Sequence, residues 1–188
     1  MRQAMGSGKK VIIGLALIAL LSLSLMPGIS LAQNLGYIPV YIQTPAQVSQ
    51  WFRSEFRYET EMPDRWQPAE ETVDVKKGDC EDFAILAQAV LKRLNIPSEI
   101  LVINFKDLPN QAHSVCIFKN GEFYSLISNQ ELIQTHASAI EAAIEEQYPD
   151  WESITFTTAK REELKFVSRN QASPAARLEL NTAGPQDK

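Results

Sequence analysis

Cysteine is nearly absent: Cys80 and Cys116 are the only two in 188 residues. A multi-bridge disulfide framework is therefore excluded, and at most one bridge is available. Positive charge is also in short supply, with 18 Lys and Arg against 23 Asp and Glu and a net charge of −5 at pH 7. That balance argues against nucleic acid and anionic membrane surfaces as partners. Long apolar runs are lacking too. The sustained apolar run, residues 11–25, falls short of the roughly 20 residues that span a bilayer. Internal repeats and low-complexity blocks do not occur.

What the N-terminal run does carry is an export pattern. Arg2, Lys9 and Lys10 precede it, and Ser30-Leu31-Ala32 follows as a small-x-small cleavage signal before Gln33. Residues 1–32 are expected to be a secretory signal peptide, with no stable membrane insertion after its cleavage and a periplasmic or extracellular destination. No cysteine follows the run, so a lipoprotein anchor is not indicated. Removing three basic residues with the peptide takes the net charge to −8. The remaining length suits one domain with a real core, expected over 33–168, and a loose polar tail over 169–188.

The most informative stretch is Gly78-Asp79-Cys80-Glu81-Asp82-Phe83-Ala84. Apolar or small residues recur at Phe83, Leu86, Ala87, Val90, Leu91 and Leu94, the spacing of a buried helix face. Asp79 is placed to cap that helix, which puts Cys80 at its first position. There the helix dipole favours a thiolate, and the Cys80 backbone N–H is free to donate to a developing oxyanion. Asp79, Glu81 and Asp82 act in the opposite sense, because nearby negative charge raises a thiol pKa. A nucleophilic Cys80 thus requires a base.

Other elements follow from local signals. Thr44 and Pro45 start a helix through Val48, Trp51, Phe52 and Glu55, whose aromatic stripe is core. Residues 58–72 read as an ordered loop containing Trp66, a residue that either roofs the site or packs. Asn95, Ile96 and Pro97 end the cysteine helix. Residues 99–105 form a strand covered on both faces, 106–111 a loop, 139–147 a helix and 154–158 a strand, with Leu164, Phe166 and Val167 covering an edge. His136 is expected at the surface, and Glu141, Glu145 and Glu146 on a solvated helix face.

Residues 112–119 and 122–128 flank Asn120-Gly121, a strong hairpin signal. A two-residue turn there sets His113 opposite Ser128, with beta carbons roughly 5 Å apart. One more loop residue sets His113 opposite Asn129 instead. Strand alternation puts His113, Val115 and Ile117 on one face and Ser114, Cys116 and Phe118 on the other. If His113 faces Cys80, Cys116 does not, and both thiols are expected to be free. A disulfide between them is the competing arrangement that an exported chain allows.

A helix-borne thiol, a strand-borne imidazole and a polar group opposite it make the parts of a cysteine nucleophile site. Trp66-Gln67-Pro68, Glu70-Glu71-Thr72, Gly78 to Ala84, Leu94-Asn95-Ile96-Pro97 and Ala112-His113-Ser114-Val115 closely resemble the transglutaminase-like superfamily, nearest to the bacterial transglutaminase-like cysteine proteinases. The resemblance implies a papain-like α+β fold in which the cysteine helix packs on an antiparallel sheet. It also implies acyl transfer at amide bonds through a thioester, with Cys80 as nucleophile and His113 as base. The third position departs from the pattern: where the family usually has Asp, this chain has Ser128-Asn129.

The expected function is an exported cysteine hydrolase or acyltransferase, a peptidase or amidase acting on peptide or isopeptide amides of a peptide or protein substrate. The rival is a catalytically impaired binding or scaffolding module with the same fold. No organic cofactor is implied. Some exported members of the proteinase group bind calcium through carboxylates flanking the cysteine, and Asp79 and Glu81 match that pattern. Two carboxylates fall short of the six or more oxygens calcium takes, so capping and solvation are the roles expected of them and no metal is assigned.

Overall fold

The computed structural model describes residues 37–171. The expected signal peptide and residues 172–188 lie outside the described residues. No helix among the described residues is long and apolar enough to cross a membrane.

The chain opens with helix α1, Pro45–Glu55. Thr44 and Gln47 cap it reciprocally: the Gln47 amide donates to Thr44 Oγ1, and Gln47 Oε1 accepts from the Thr44 amide, which satisfies two otherwise orphaned donors. A short strand β1, Arg57–Tyr58, pairs in parallel with β2, Lys77–Gly78. Between them lies helix α2, Ala69–Val75, in the stretch expected to be a loop. Seven residues gave no sustained period, yet Ala69, Thr72 and Val73 are buried; tertiary packing supplies what local pattern did not.

Helix α3, Cys80–Arg93, carries the cysteine. It stops where expected: Asn95 adopts φ 59°, and the Ile96 amide reaches back to the Leu91 carbonyl at 2.9 Å, a left-handed termination that Pro97 keeps from continuing. The antiparallel sheet then runs β3 Ser98–Phe105, β4 Leu108–Asn120, β5 Phe123–Ser128 and β6 Glu131–Gln134. Helix α4, Ile140–Gln147, leads to β7 Trp151–Thr157 and β8 Glu163–Ser168. The spatial order is β6-β5-β4-β3-β7-β8.

Alternation in the central strands divides the core into two faces. Ile100, Cys116, Phe118 and Ile127 join Phe83, Leu86, Val90 and the aromatic cluster of Trp51, Phe52 and Phe56 beneath α1 and α3. Leu101, Ile103, Val115, Ile117 and Leu126 join Ala143, Ile144, Trp151 and Ile154 beneath α4. The fold is thus α+β, with the cysteine helix packed on an antiparallel sheet.

The hairpin differs from expectation in register. Asn120 pairs with Phe123 and Val115 with Ser128, so the two turn residues are Gly121 and Glu122. Gly121 takes φ 70°, the conformation glycine accepts without strain at the first central position of such a turn. The expected opposition of His113 to Ser128, or to Asn129, is therefore wrong by two residues or one. The expected loop 106–111 is shorter, because β4 begins at Leu108 and a register shift after Asn104 absorbs the extra residues.

Arg169, assigned by composition to the tail, closes the fold. Its guanidinium pairs with Glu145, donates to the Trp151 carbonyl at 3.3 Å, and sits 5.7 Å from the Trp151 ring. Glu145 also accepts from Trp151 Nε1 at 2.8 Å, so it belongs to a half-buried pair and not to a solvated face. Leu164 and Phe166 on the edge strand are exposed, whereas Val167 is buried.

One backbone position tests how tightly α3 is seated. A Cβ on Gly78 would lie 2.7 Å from both Cβ and Oδ2 of Asp82, closer than any van der Waals contact. Gly78→Ala is expected to lower stability by about 1–3 kcal/mol, measured by urea denaturation. An unchanged midpoint would mean that Asp82 can step aside at no cost.

Candidate active site

The site is assembled from the N-terminus of α3. Asp82, in its first turn, is fully buried. Its Oδ1 accepts the Gln67 amide proton at 2.7 Å, and its Oδ2 accepts from Gln67 Nε2 at 2.7 Å and from the Asp79 amide at 3.2 Å. The last of these is half of a capping box with Asp79. Burial pushes the Asp82 carboxyl up to about 6, against the pull of the Gln67 and Asp79 amides. The Trp66-Gln67-Pro68 motif thereby acquires a role: Gln67 ties the incoming loop to the cysteine helix. Trp66 packs on the core and carries Arg161 above its ring at 5.1 Å.

Cys80 is half-buried and free, as Cys116 is free and wholly buried. The face assignment behind that expectation needs correction, however. Cys116 lies on the face covered by α3, whereas His113 shares the parity of Val115 and Ile117, on the α4 face. Cys80 comes to the end of a ladder. The β4–β5 pairing stops at Val115–Ser128, and the next amide, Ser114 N–H, points at the Cys80 sulfur.

Across that strand end, His113 Nε2 lies 2.8 Å from Ser128 Oγ. Ser128 is directly opposite Val115, one diagonal step from His113 on the same face. Its hydroxyl also accepts from the Tyr148 hydroxyl at 2.9 Å, and the Tyr148 ring stands 5.5 Å from the imidazole. The fold therefore brings His113 and Ser128 into contact and sets Cys80 beside the residue that follows His113. Asn129 sits in the tight turn to β6 at φ 51° and is not a partner of His113; its Oδ1 is buried without a hydrogen bond. Tyr148 was missed by the sequence analysis. Nothing local marks it, since its only signal is the end of α4 before Pro149.

The Cys80 thiol donates to Glu81 Oε2 at 3.1 Å. Its pKa is pushed up to about 12, first by burial and then by Glu81 and Asp79, with only the Ser114 amide pulling the other way. The expected help from the helix dipole is outweighed. A dipole contributes about 0.3–1 kcal/mol, less than one pH unit. Burial lowers the His113 pKa, so the imidazole is neutral and able to accept a proton.

Asp64, Asp79 and Glu81 bring carboxylate oxygens within 4.8 Å of one another. Burial raises the Glu81 pKa, while a hydrogen bond with Glu81 holds Asp64 low. Capping and solvation do not account for all of it: Asp79 Oδ1 is buried and has no partner, and Asp64 comes from a loop that sequence spacing does not connect to the cysteine. A groove of about 640 Å³ lined by Gln88, Ser98, Tyr124, Phe156 and Lys165 contains none of these residues.

The family model of the transglutaminase-like superfamily matches residues 30–145. The chain belongs to that superfamily. No curated protein matches it significantly. Among solved structures, Legionella pneumophila LapG is 23% identical over 70% of this chain and 66% of that one, with a TM-score of 0.44. Calcium-bound LapG is 21% identical over 78% and 81%, TM-score 0.45. A Cytophaga hutchinsonii protein described as a candidate cysteine protease is 20% identical over 53% and 37%, TM-score 0.41. The chain thus spans just under two thirds of the first of these structures.

The acids around Cys80 make a measurable claim. Glu81→Ala removes both the thiol's acceptor and one negative charge, each of which favours the protonated form. The pH midpoint of Cys80 alkylation by iodoacetamide is expected to fall by about one pH unit relative to wild type, followed by mass spectrometry with buried Cys116 as internal reference. An unmoved midpoint would mean that burial alone sets the thiol.

Proposed function

We propose that this protein is an exported cysteine peptidase or amidase of the transglutaminase-like type, acting on peptide or isopeptide amides. The observation that carries the reading is a helix N-terminal thiol bonded by the Ser114 amide at the end of the β4–β5 ladder, with His113, the residue before Ser114, held by Ser128. Family membership supplies the reaction class. The N-terminal basic, apolar and small-x-small pattern supports export.

The chemistry follows the geometry. Cys80 Sγ attacks the substrate carbonyl carbon while His113 takes the thiol proton; because Nε2 is engaged with Ser128, Nδ1 is the nitrogen that accepts it. The carbonyl oxygen becomes an oxyanion stabilised by the Cys80 backbone N–H at the start of α3. When the C–N bond breaks, His113 returns its proton to the leaving amine. Water or a second amine then attacks the thioester, gives up a proton through His113, and releases Cys80 as the thiol.

A second reading has its own support, in the thiol's hydrogen bond to Glu81, its pKa near 12, and a serine where the family usually has aspartate. It makes the protein a module that keeps the fold and binds peptides without turning them over. The two are separated by the alkylation rate of Cys80 between pH 6 and 9. For the enzyme, His113→Ala slows alkylation about tenfold or more, and Ser128→Asp speeds it by helping the imidazolium form. Indifference to both substitutions selects the binding module.

The carboxylates of Asp64, Asp79 and Glu81 fit a hard divalent cation in donor type, and the unpartnered Asp79 Oδ1 is the kind of oxygen such an ion takes up. When bound, a cation there would neutralise the charges that hold the thiol protonated. Calcium added to chelator-treated protein is expected to raise the melting temperature, by an amount equivalent to about 2.7 kcal/mol at a hundredfold excess over its dissociation constant. Asp79→Asn should abolish the rise. No shift in the wild-type protein would return these residues to capping and solvation.

A further inference from the structure

Tyr148 is fixed before its side chain is considered. It caps the C-terminus of α4, its amide donating to the Ile144 carbonyl at 2.7 Å, and its own carbonyl accepts from the Trp151 amide at 3.0 Å. Its ring is 6.2 Å from Phe105 at 64° and 5.5 Å from His113 at 56°. A packed aromatic would need nothing more. This one also has its hydroxyl 2.9 Å from Ser128 Oγ, which in turn is 2.8 Å from His113 Nε2.

The hydrogen count around Ser128 gives that arrangement its meaning. A serine hydroxyl has one hydrogen and two lone pairs. Tyr148 occupies one lone pair, leaving one hydrogen and one lone pair within reach of Nε2. For Nδ1 to be free for the thiol proton, neutral imidazole carries its hydrogen on Nε2 and donates to the remaining lone pair of Ser128; imidazolium keeps the same bond, with no heavy atom moving. Burial raises the Tyr148 pKa, so the phenol remains a donor across the neutral range. A carboxylate would orient His113 by charge; here a pair of hydroxyls orients it by geometry.

We infer that Tyr148 is a positioning residue for His113, its hydroxyl fixing the rotamer of Ser128 and its ring fixing the plane of the imidazole. The inference rests on the Cys80–His113 reading above. Tyr148 stands for a polar element that the missing aspartate would otherwise make unnecessary.

The experiment uses the fact that the chain has only two histidines, one of which, His136, has a side chain 90% exposed. Two-bond hydrogen–nitrogen spectra of the full mature protein report the tautomer of each ring, with His136 as the internal reference. In wild type, the His113 nitrogens are expected to show one dominant tautomer. In Tyr148→Phe, which keeps the ring and loses the hydroxyl, they should move toward values averaged over the two tautomers, the His113 titration midpoint should shift, and Cys80 alkylation should slow about tenfold. Ser128→Ala should produce the same changes, and the double variant no more than Ser128→Ala alone, since Tyr148 acts through Ser128. Ser128→Asp in the Tyr148→Phe background should restore the single tautomer, and this variant also serves should the phenylalanine variant fold poorly. Unchanged His113 nitrogen shifts and midpoint in Tyr148→Phe, or additive effects in the double variant, overturn the inference. Failure of the dyad reading looks different: Cys80 alkylation is then indifferent to His113→Ala, while the nitrogen shifts still judge Tyr148.

Discussion

The buried carboxylate of Asp82 is the constraint on which the cysteine's position depends. Taking a carboxylate out of water costs several kcal/mol unless its oxygens are satisfied, and here three N–H groups satisfy them. Each such charge-assisted bond contributes about 1.5–3 kcal/mol. The consequence reaches in two directions. Through Gln67 it fastens the loop before α2, and through the Asp79 amide it fixes the start of α3, so Cys80 is held at the first helical position. Gly78 completes the arrangement, since no side chain fits beside Asp82 there. Gly78, Asp79 and Asp82 are thus one structural unit built around the residue they flank.

That unit places acid beside a thiol, which is an unfavourable setting for a nucleophile. Glu81 and Asp79 raise the Cys80 pKa, and burial raises it further. The helix N-terminus is too weak to compensate. What the fold offers instead is a neutral base and a strand end. Because β5 stops at Ser128, the Ser114 amide faces the sulfur in place of a ladder partner. The same stop leaves Ser128 at the strand's last position, where its hydroxyl reaches both His113 and Tyr148. Termination of one hydrogen-bonded pair therefore organises both halves of the site.

Legibility in the sequence followed the range of the interactions. The starts of α1 and α3 and the end of α3 rest on neighbours within five residues, and they were read from Thr44, Asp79 and Asn95. Ser128 was found for a reason that survived an error. Moving the turn from Asn120-Gly121 to Gly121-Glu122 changes every pairing by two residues, and a shift of two keeps each side chain on its face. Asn129 required a shift of one and fell out. The split of β4 into its two faces was read from alternation, but which face the cysteine helix covers was not, because alternation alone does not say. Asp64, Tyr148 and α2 were invisible for a common cause: each acquires its partners by chain closure over distances that no local pattern encodes.

The substitution of serine at the third position has a physical reading in this setting. Four carboxyl groups, Asp64, Asp79, Glu81 and Asp82, already surround the first turn of α3 or the loop against it. A fifth at position 128 would stabilise imidazolium, and it would also add negative charge near a thiol that must lose its proton. Ser128, bonded to both His113 and Tyr148, contacts the same nitrogen without that charge. The exchange is asymmetric: a carboxylate stabilises His113 most after proton transfer, whereas two hydroxyls hold it equally well before and after. A site built this way gives up driving force for the transfer and keeps its geometry in both states. Its reactivity then depends on whatever neutralises the acids at Asp79 and Glu81.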